Sequence, residues 1–151
     1  MDARPPTECI IAEIGADMSR FPTAAHLASW AGMCPGNNIT GGKRRSGKTN
    51  KGNRWLGEVL HECAWAAAHS RKTYLGAQFW HLARRIGKKK AAVAVGHSIL
   101  VIGWHLLSRG VDYDDLGQDW FTRGTDPERR KTHLIKQLQA LGYAVSLRPA
   151  A

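Results

Sequence analysis

A chain of 151 residues, 43% of them apolar, is long enough to bury one core and too apolar to be disordered. Lys and Arg number 22 against 12 Asp and Glu, a formal charge of +10. That excess points to a polyanionic partner, nucleic acid before membrane phosphate, with a merely basic soluble protein as the bland alternative. Cys9, Cys34 and Cys63 are odd in number and form no C-x-x-C pair, which argues against a disulfide framework or zinc knuckle and for a reducing cytosol.

The opening residues, Met1 to Pro6, lack the apolar core of a signal peptide. Thr7 to Ile14 reads as a short helix, with Ile10, Ile11 and Ile14 on one side and Gly15 as its stop. Phe21-Pro22-Thr23 opens a second helix carrying Ala24, Leu27, Ala28 and Ala31, which Gly32 and Pro35-Gly36 end. Residues 35 to 53 differ in kind. Gly36, Gly41, Gly42, Gly47 and Gly52 prevent a regular helix, and this segment with its edge carries Lys43, Arg44, Arg45, Lys48, Lys51 and Arg54 with no acid between them. It reads as an ordered loop or short ribbon whose glycines let backbone approach a phosphate chain; the alternative is a solvated linker.

A long helix follows from about Arg54 to Ser70, with Leu56, Val59, Leu60, Cys63, Ala64 and Ala67 as its apolar face. Another runs from about Tyr74 to Ile86, with Phe79 and Leu82 toward the core. Beyond Gly87 and Lys88-Lys89-Lys90 comes the most apolar helix, with Ala92, Val95, Ile99, Ile102 and Leu106 at helical spacing and Gly110 as its C-cap. Its apolar run, Ala91 to Leu107, is broken by His97, Ser98 and His105 and is short for a membrane span, so it reads as a buried helix. Gly96 and Gly103 lie seven apart and offer two places for another helix to cross closely. Thr125-Asp126-Pro127-Glu128 is a capping-box pattern opening a last helix, with Leu134, Ile135, Leu138 and Leu141 as its stripe and Gly142 as its end. Tyr143 to Leu147 is a short strand or an extended tail. The expected fold is mainly α, a single helical domain with a Gly-rich basic loop.

Phosphate contact is the chemistry these residues suggest most directly. Lys43, Arg44, Arg45, Lys48, Lys51 and Arg54 come first, with Ser46 in a phosphate-contact context. Lys88, Lys89 and Lys90, with Arg84 and Arg85 a turn earlier, form a second cluster whose plain alternative is a solvated helix end. No metal site is expected: His61 and Cys63 do not share a helix face, and His97 and His105 lack a third ligand at a known zinc spacing. The six tryptophans read as packing residues, except Trp55, which follows the basic loop directly and is the candidate base-stacking platform.

The segment from Ala12 to Ala68, and the later block Gly87-Lys88-Lys89-Lys90-Ala91-Ala92-Val93-Ala94-Val95-Gly96-His97-Ser98-Ile99-Leu100, resemble the C-terminal domain of the insertion sequence 110/116/902 transposases, the group that includes the Piv and MooV invertases. The resemblance covers nearly the whole chain. It implies a two-part enzyme, in which an N-terminal RuvC-like domain supplies four acids for divalent metal and the C-terminal domain supplies a serine that attacks a DNA phosphodiester. Some members are guided by an RNA from the element. It further implies that residues 1–15 are the remnant of a helix–hairpin–helix, with Pro5-Pro6 in its turn region, and that 16–148 form the transposase C-terminal helical domain. Two departures stand out: the chain starts too late to include the metal domain, and the family serine's position is Thr40 here.

The resulting expectation is a cytoplasmic, nucleic-acid-binding transposase fragment that is inactive alone. It would need no cofactor itself, Mg²⁺ acting only with the missing domain. Its partners would be DNA, a guide RNA, a second copy or a full-length transposase, and no membrane. The competing expectations are an enzyme completed by a separately encoded metal domain, a binding-only remnant that interferes with or assists a full-length relative, and a basic helical scaffold for a protein.

Overall fold

Among the described residues ten elements follow one another: α1 (Pro6–Ile14), a 3-10 turn (Met18–Arg20), α2 (Ala24–Trp30), β1 (Asn38–Thr40), β2 (Lys43–Ser46), α3 (Arg54–His69), α4 (Tyr74–Ile86), α5 (Lys88–Arg109), α6 (Trp120–Arg123) and α7 (Pro127–Ala140). The computed structural model describes residues 5–36, 38–123 and 127–148. The mainly helical class is as expected. The chain forms two compact units, Met1–Asp119 and Trp120–Ala151.

Helix starts in the first unit follow local chemistry. Thr23, Asn53 and Thr73 cap α2, α3 and α4, each side-chain oxygen accepting a backbone N–H of the first turn. Pro6 opens α1, where a missing N–H is harmless. The α4 start has a second, distant acceptor. The Asp115 carboxylate takes the Tyr74 N–H at 3.0 Å, the Gly117 N–H at 2.7 Å and the Tyr113 hydroxyl at 3.1 Å. Burial acts to raise the Asp115 pKa, but these hydrogen bonds outweigh it and hold the carboxyl below its ordinary value. The aspartate-rich stretch after α5 thus ties itself to the beginning of α4.

The core of this unit is organised by α3 and α5. Leu56, Leu60, Ala64 and Ala68 repeat every four residues along α3 and are all buried. The two leucines join Ile14, Met18, Phe21, Leu27, Ala28, Ala31, Met33 and Leu100 in one cluster; the two alanines join Phe79, Ala91, Ala92 and Val95 in a second, and Ile99 packs against both. Small residues at the far end of α3 leave room for α4 and α5 to approach together. Val59, Cys63 and Ala67, expected on the same apolar face, are only half-buried, because the contact stripe follows the four-residue row. Phe79 is fully buried, which contributes about 1.5–3 kcal/mol.

Helix α5 packs against α2, α3 and α4. It is long and apolar enough by composition to cross a membrane; Ala91, Ala92, Val95, Gly96 and Leu100 are buried in the core, whereas Ile99, Ile102 and Leu106 of the expected stripe are only half-buried, so the expected buried helix holds for its first half. A Cβ on Gly96 would lie 3.2 Å from the Leu60 carbonyl oxygen and 3.0 Å from Met33 Cε, so α3 does cross closely there. The second expected crossing is absent: a Cβ on Gly103 would meet nothing within 4 Å among the described residues. Gly103 lies toward the C-terminal half of α5, beyond the α3 crossing.

In the second unit α7 buries no residue. Leu134, Leu138 and Leu141 of its stripe are exposed and Ile135 is half-buried. The Gly142 ending is as expected, a Schellman arrangement in which the Tyr143 N–H reaches the Leu138 carbonyl and the Gly142 N–H the Gln139 carbonyl. Thr125 and Asp126 of the expected capping box lie outside the described residues. Tyr143 to Leu147 has no regular structure.

Candidate nucleic-acid interface

The glycine-rich basic segment is an antiparallel hairpin closed at its base. Thr40 pairs with Lys43 across Gly41 and Gly42, whose φ values of 57° and 74° are those of a type I′ turn, a conformation that glycine adopts without strain. Ile39 pairs with Arg44 and Asn38 with Ser46, so Arg45 is the extra residue of a bulge. Further down, Pro35 bridges to Thr49, and the Gly36 N–H donates to the Lys48 carbonyl at 2.8 Å. Below that, the two chain passes touch. A Cβ on Gly52 would lie 2.3 Å from the Ala31 carbonyl and from the Gly32 nitrogen; a Cβ on Gly32 would lie 2.6 Å from the Gly52 nitrogen. The glycines clamp the ribbon to the end of α2, so the segment is an ordered ribbon rather than a linker.

The far end of the hairpin segment is held as well. Asn53 caps α3 through Oδ1, accepting the Leu56 N–H at 3.1 Å, while its Nδ2 donates to Glu13 of α1 at 2.5 Å. Arg54 donates to Glu58 at 2.8 Å, and that hydrogen bond and the neighbouring charge raise the guanidinium pKa. Acids absent from the basic run in sequence are therefore brought to its C-terminal end by α1 and α3. Both Arg54 and Glu58 are mostly exposed, and such a pair holds weakly against a competing phosphate.

Within this frame Lys43, Lys48 and Lys51 are exposed. Arg44 and Arg45 lie on β2, their side chains outside the description. Ser46 Oγ accepts the Lys48 N–H at 3.1 Å, so this hydroxyl shapes the bend after β2. Thr40 is exposed at the rim, and its pairing with Lys43 sets both side chains on one face of the ribbon. Among the described residues no base hydrogen-bonds the Thr40 hydroxyl.

Lys88, Lys89 and Lys90 form the first turn of α5, which the single residue Gly87, with φ of 84°, separates from the end of α4, where Arg84 and Arg85 lie in the last turn. This turn has no side-chain cap and no acid, so three cations sit at the positive end of the helix macrodipole, each destabilising by about 0.3–1 kcal/mol. The turn between α3 and α4 adds a residue that sequence reading missed. Arg71 lies over the Trp80 ring at 4.5 Å and Lys88 over the same ring at 5.6 Å. No signal short of the α3–α4–α5 packing joins Arg71 to the lysine run.

Three of the six tryptophans are half-buried and hydrogen-bonded. Trp65 donates to His61, Trp80 to the Ala68 carbonyl and Trp104 to the Phe21 carbonyl. Trp55 is 70% exposed. The histidines build no metal site: among the described residues no three His, Cys, Asp or Glu side chains converge as metal ligands would.

Fold and site together define a small, basic, mainly helical protein carrying a cationic hairpin whose base meets the end of α2. Residues 7–81, from α1 through most of α4 and including the whole hairpin, match the model of the Transposase IS116/IS110/IS902 family, and over that segment the chain belongs to this family. No curated protein and no solved structure matches the chain. The lysine turn of α5 lies beyond the matched segment.

Proposed function

We propose that this chain is the nucleic-acid-binding C-terminal part of an insertion-sequence transposase, and that strand cleavage and joining depend on metal-binding acids from another segment or chain. The observation that carries the reading is the clamped hairpin: Lys43, Lys48 and Lys51 stand exposed on a backbone whose base has no slack. A pre-ordered ribbon loses little entropy when several of its cations follow one phosphate chain. The lysine turn of α5 supports the same reading, because an anion there would relieve the repulsion between lysine charge and helix dipole. Thr40 at the family serine's position would attack phosphorus poorly, since its extra methyl crowds the oxygen and restricts its rotamers. Lys43, on the same face, would stabilise charge developing at the phosphate.

Titrating duplex DNA and structured RNA with the purified chain at two salt concentrations tests this. Affinity is expected to fall steeply from low to moderate salt, as counterions released by several phosphate contacts require. Absent binding at low salt, or binding indifferent to salt, removes the proposal and favours a protein scaffold.

A further inference from the structure

Trp55 is the second residue of α3, immediately after the basic segment, and its indole is 70% exposed; Trp120 and Trp30, the next most exposed tryptophans, are at 45% and 42%. Leu56, one residue on, is fully buried, and the 100° step of the helix carries Trp55 off the core. No hydrogen bond or ring contact among the described residues engages its indole. Packing therefore leaves this large apolar ring in water at the foot of the hairpin. Lys51 lies a turn's length before it in sequence, Arg54 is adjacent, and the Glu58 carboxylate one turn further on is occupied by Arg54. A flat π-face among cations suits an unpaired nucleobase flanked by phosphates, whereas duplex DNA has its base faces already stacked.

We infer that Trp55 is a stacking platform for an unpaired nucleobase, and that the surface from Lys51 to Trp55 makes this chain prefer single-stranded or splayed nucleic acid over intact duplex. The inference rests on the proposed nucleic-acid binding and narrows its substrate class. DNA and RNA bases share this ring chemistry, and separate oligomers distinguish the two sources.

The test measures the affinity of the full chain and of its Trp55→Ala and Trp55→Phe variants for oligothymidylate, oligouridylate and a blunt duplex at one salt concentration. Circular dichroism checks that each variant is folded, as a side chain this exposed predicts. Trp55→Ala is expected to weaken single-strand binding on the order of tenfold, the loss of one base stack, with less than about a twofold change on duplex. Trp55→Phe is expected to keep most of the affinity. Loss on both oligomers assigns unpaired bases generally; loss on one alone assigns that nucleic acid. Equal losses on single strand and duplex, no loss on either oligomer, or a Phe variant no better than Ala overturns the inference. Wild-type binding to no nucleic acid would instead be a failure of the broader proposal, which the salt titration detects independently.

Discussion

At Gly52 the backbone admits no side chain. Its Cβ would stand 2.3 Å from backbone atoms that belong to the end of α2 and cannot rotate away. Gly103 is the contrasting glycine: it sits within α5 with open space around its missing Cβ. Gly52→Ala is expected to destabilise the protein by about 1–3 kcal/mol, as overpacking does, and to weaken nucleic-acid binding by loosening the hairpin's base. Gly103→Ala is expected to stabilise it by up to about 1 kcal/mol through helix propensity alone. Chemical denaturation of both variants reads the difference. Equal effects would show that the Gly32–Gly52 contact does not clamp the ribbon. In sequence Gly52 reads as one of several loop glycines and Gly103 as a place for a close helix crossing, and neither reading says which of the two lacks room for a side chain. The distinction appears only when residues far apart in the chain meet.

Among the elements, the hairpin and the first turn of α5 compete as the main phosphate contact. The hairpin is braced at Gly32–Gly52, at Gly36–Lys48 and, through Asn53, at Glu13. The lysine turn has one cation, Lys88, already over the Trp80 ring beside Arg71. Changing Lys43, Arg44, Arg45 and Lys48 to Gln is expected to reduce affinity more than changing Lys88, Lys89 and Lys90 to Gln. Only the second change should also raise thermal stability slightly, by removing like charge from the positive helix end. Equal losses, or the reverse order, would make the α5 turn the principal contact. Helix limits were legible because caps and glycine stops act within a few residues: the long third and fourth helices were placed at 54–70 and 74–86, and are Arg54–His69 and Tyr74–Ile86. The hairpin was legible only as a loop or ribbon. Strand pairing depends on register, and the polar, glycine-rich sequence of β1 and β2 offers no buried face to set it.

For the molecule as a whole, the proposal expects binding without strand chemistry. The described acids form no metal-binding group, and Thr40 sits exposed without a described base. The full chain with Mg²⁺ and element-end DNA is therefore expected to give no covalent adduct, and Thr40→Ser is expected not to create one. Adding a matching acidic metal domain in trans is expected to favour serine over threonine. An adduct from the unmodified chain alone would reverse this and make Thr40 a working nucleophile.

The sequence by itself determined the helical class, most helix ends, the excess of positive charge and the transposase family, because composition, capping and ordered motifs are local properties. It also singled out Trp55 by its position after the basic run. Tertiary structure alone decided that Gly96 is a crossing point and Gly103 is not, that Gly32 and Gly52 lock the ribbon, and that Asp115 caps α4. It likewise decided that Arg71 joins Lys88 over Trp80 and that the Trp55 ring is left in water. Each of these depends on which distant backbone or side chain arrives at a given point. That follows from packing α3, α4 and α5 in three dimensions, and no periodicity along the chain records it.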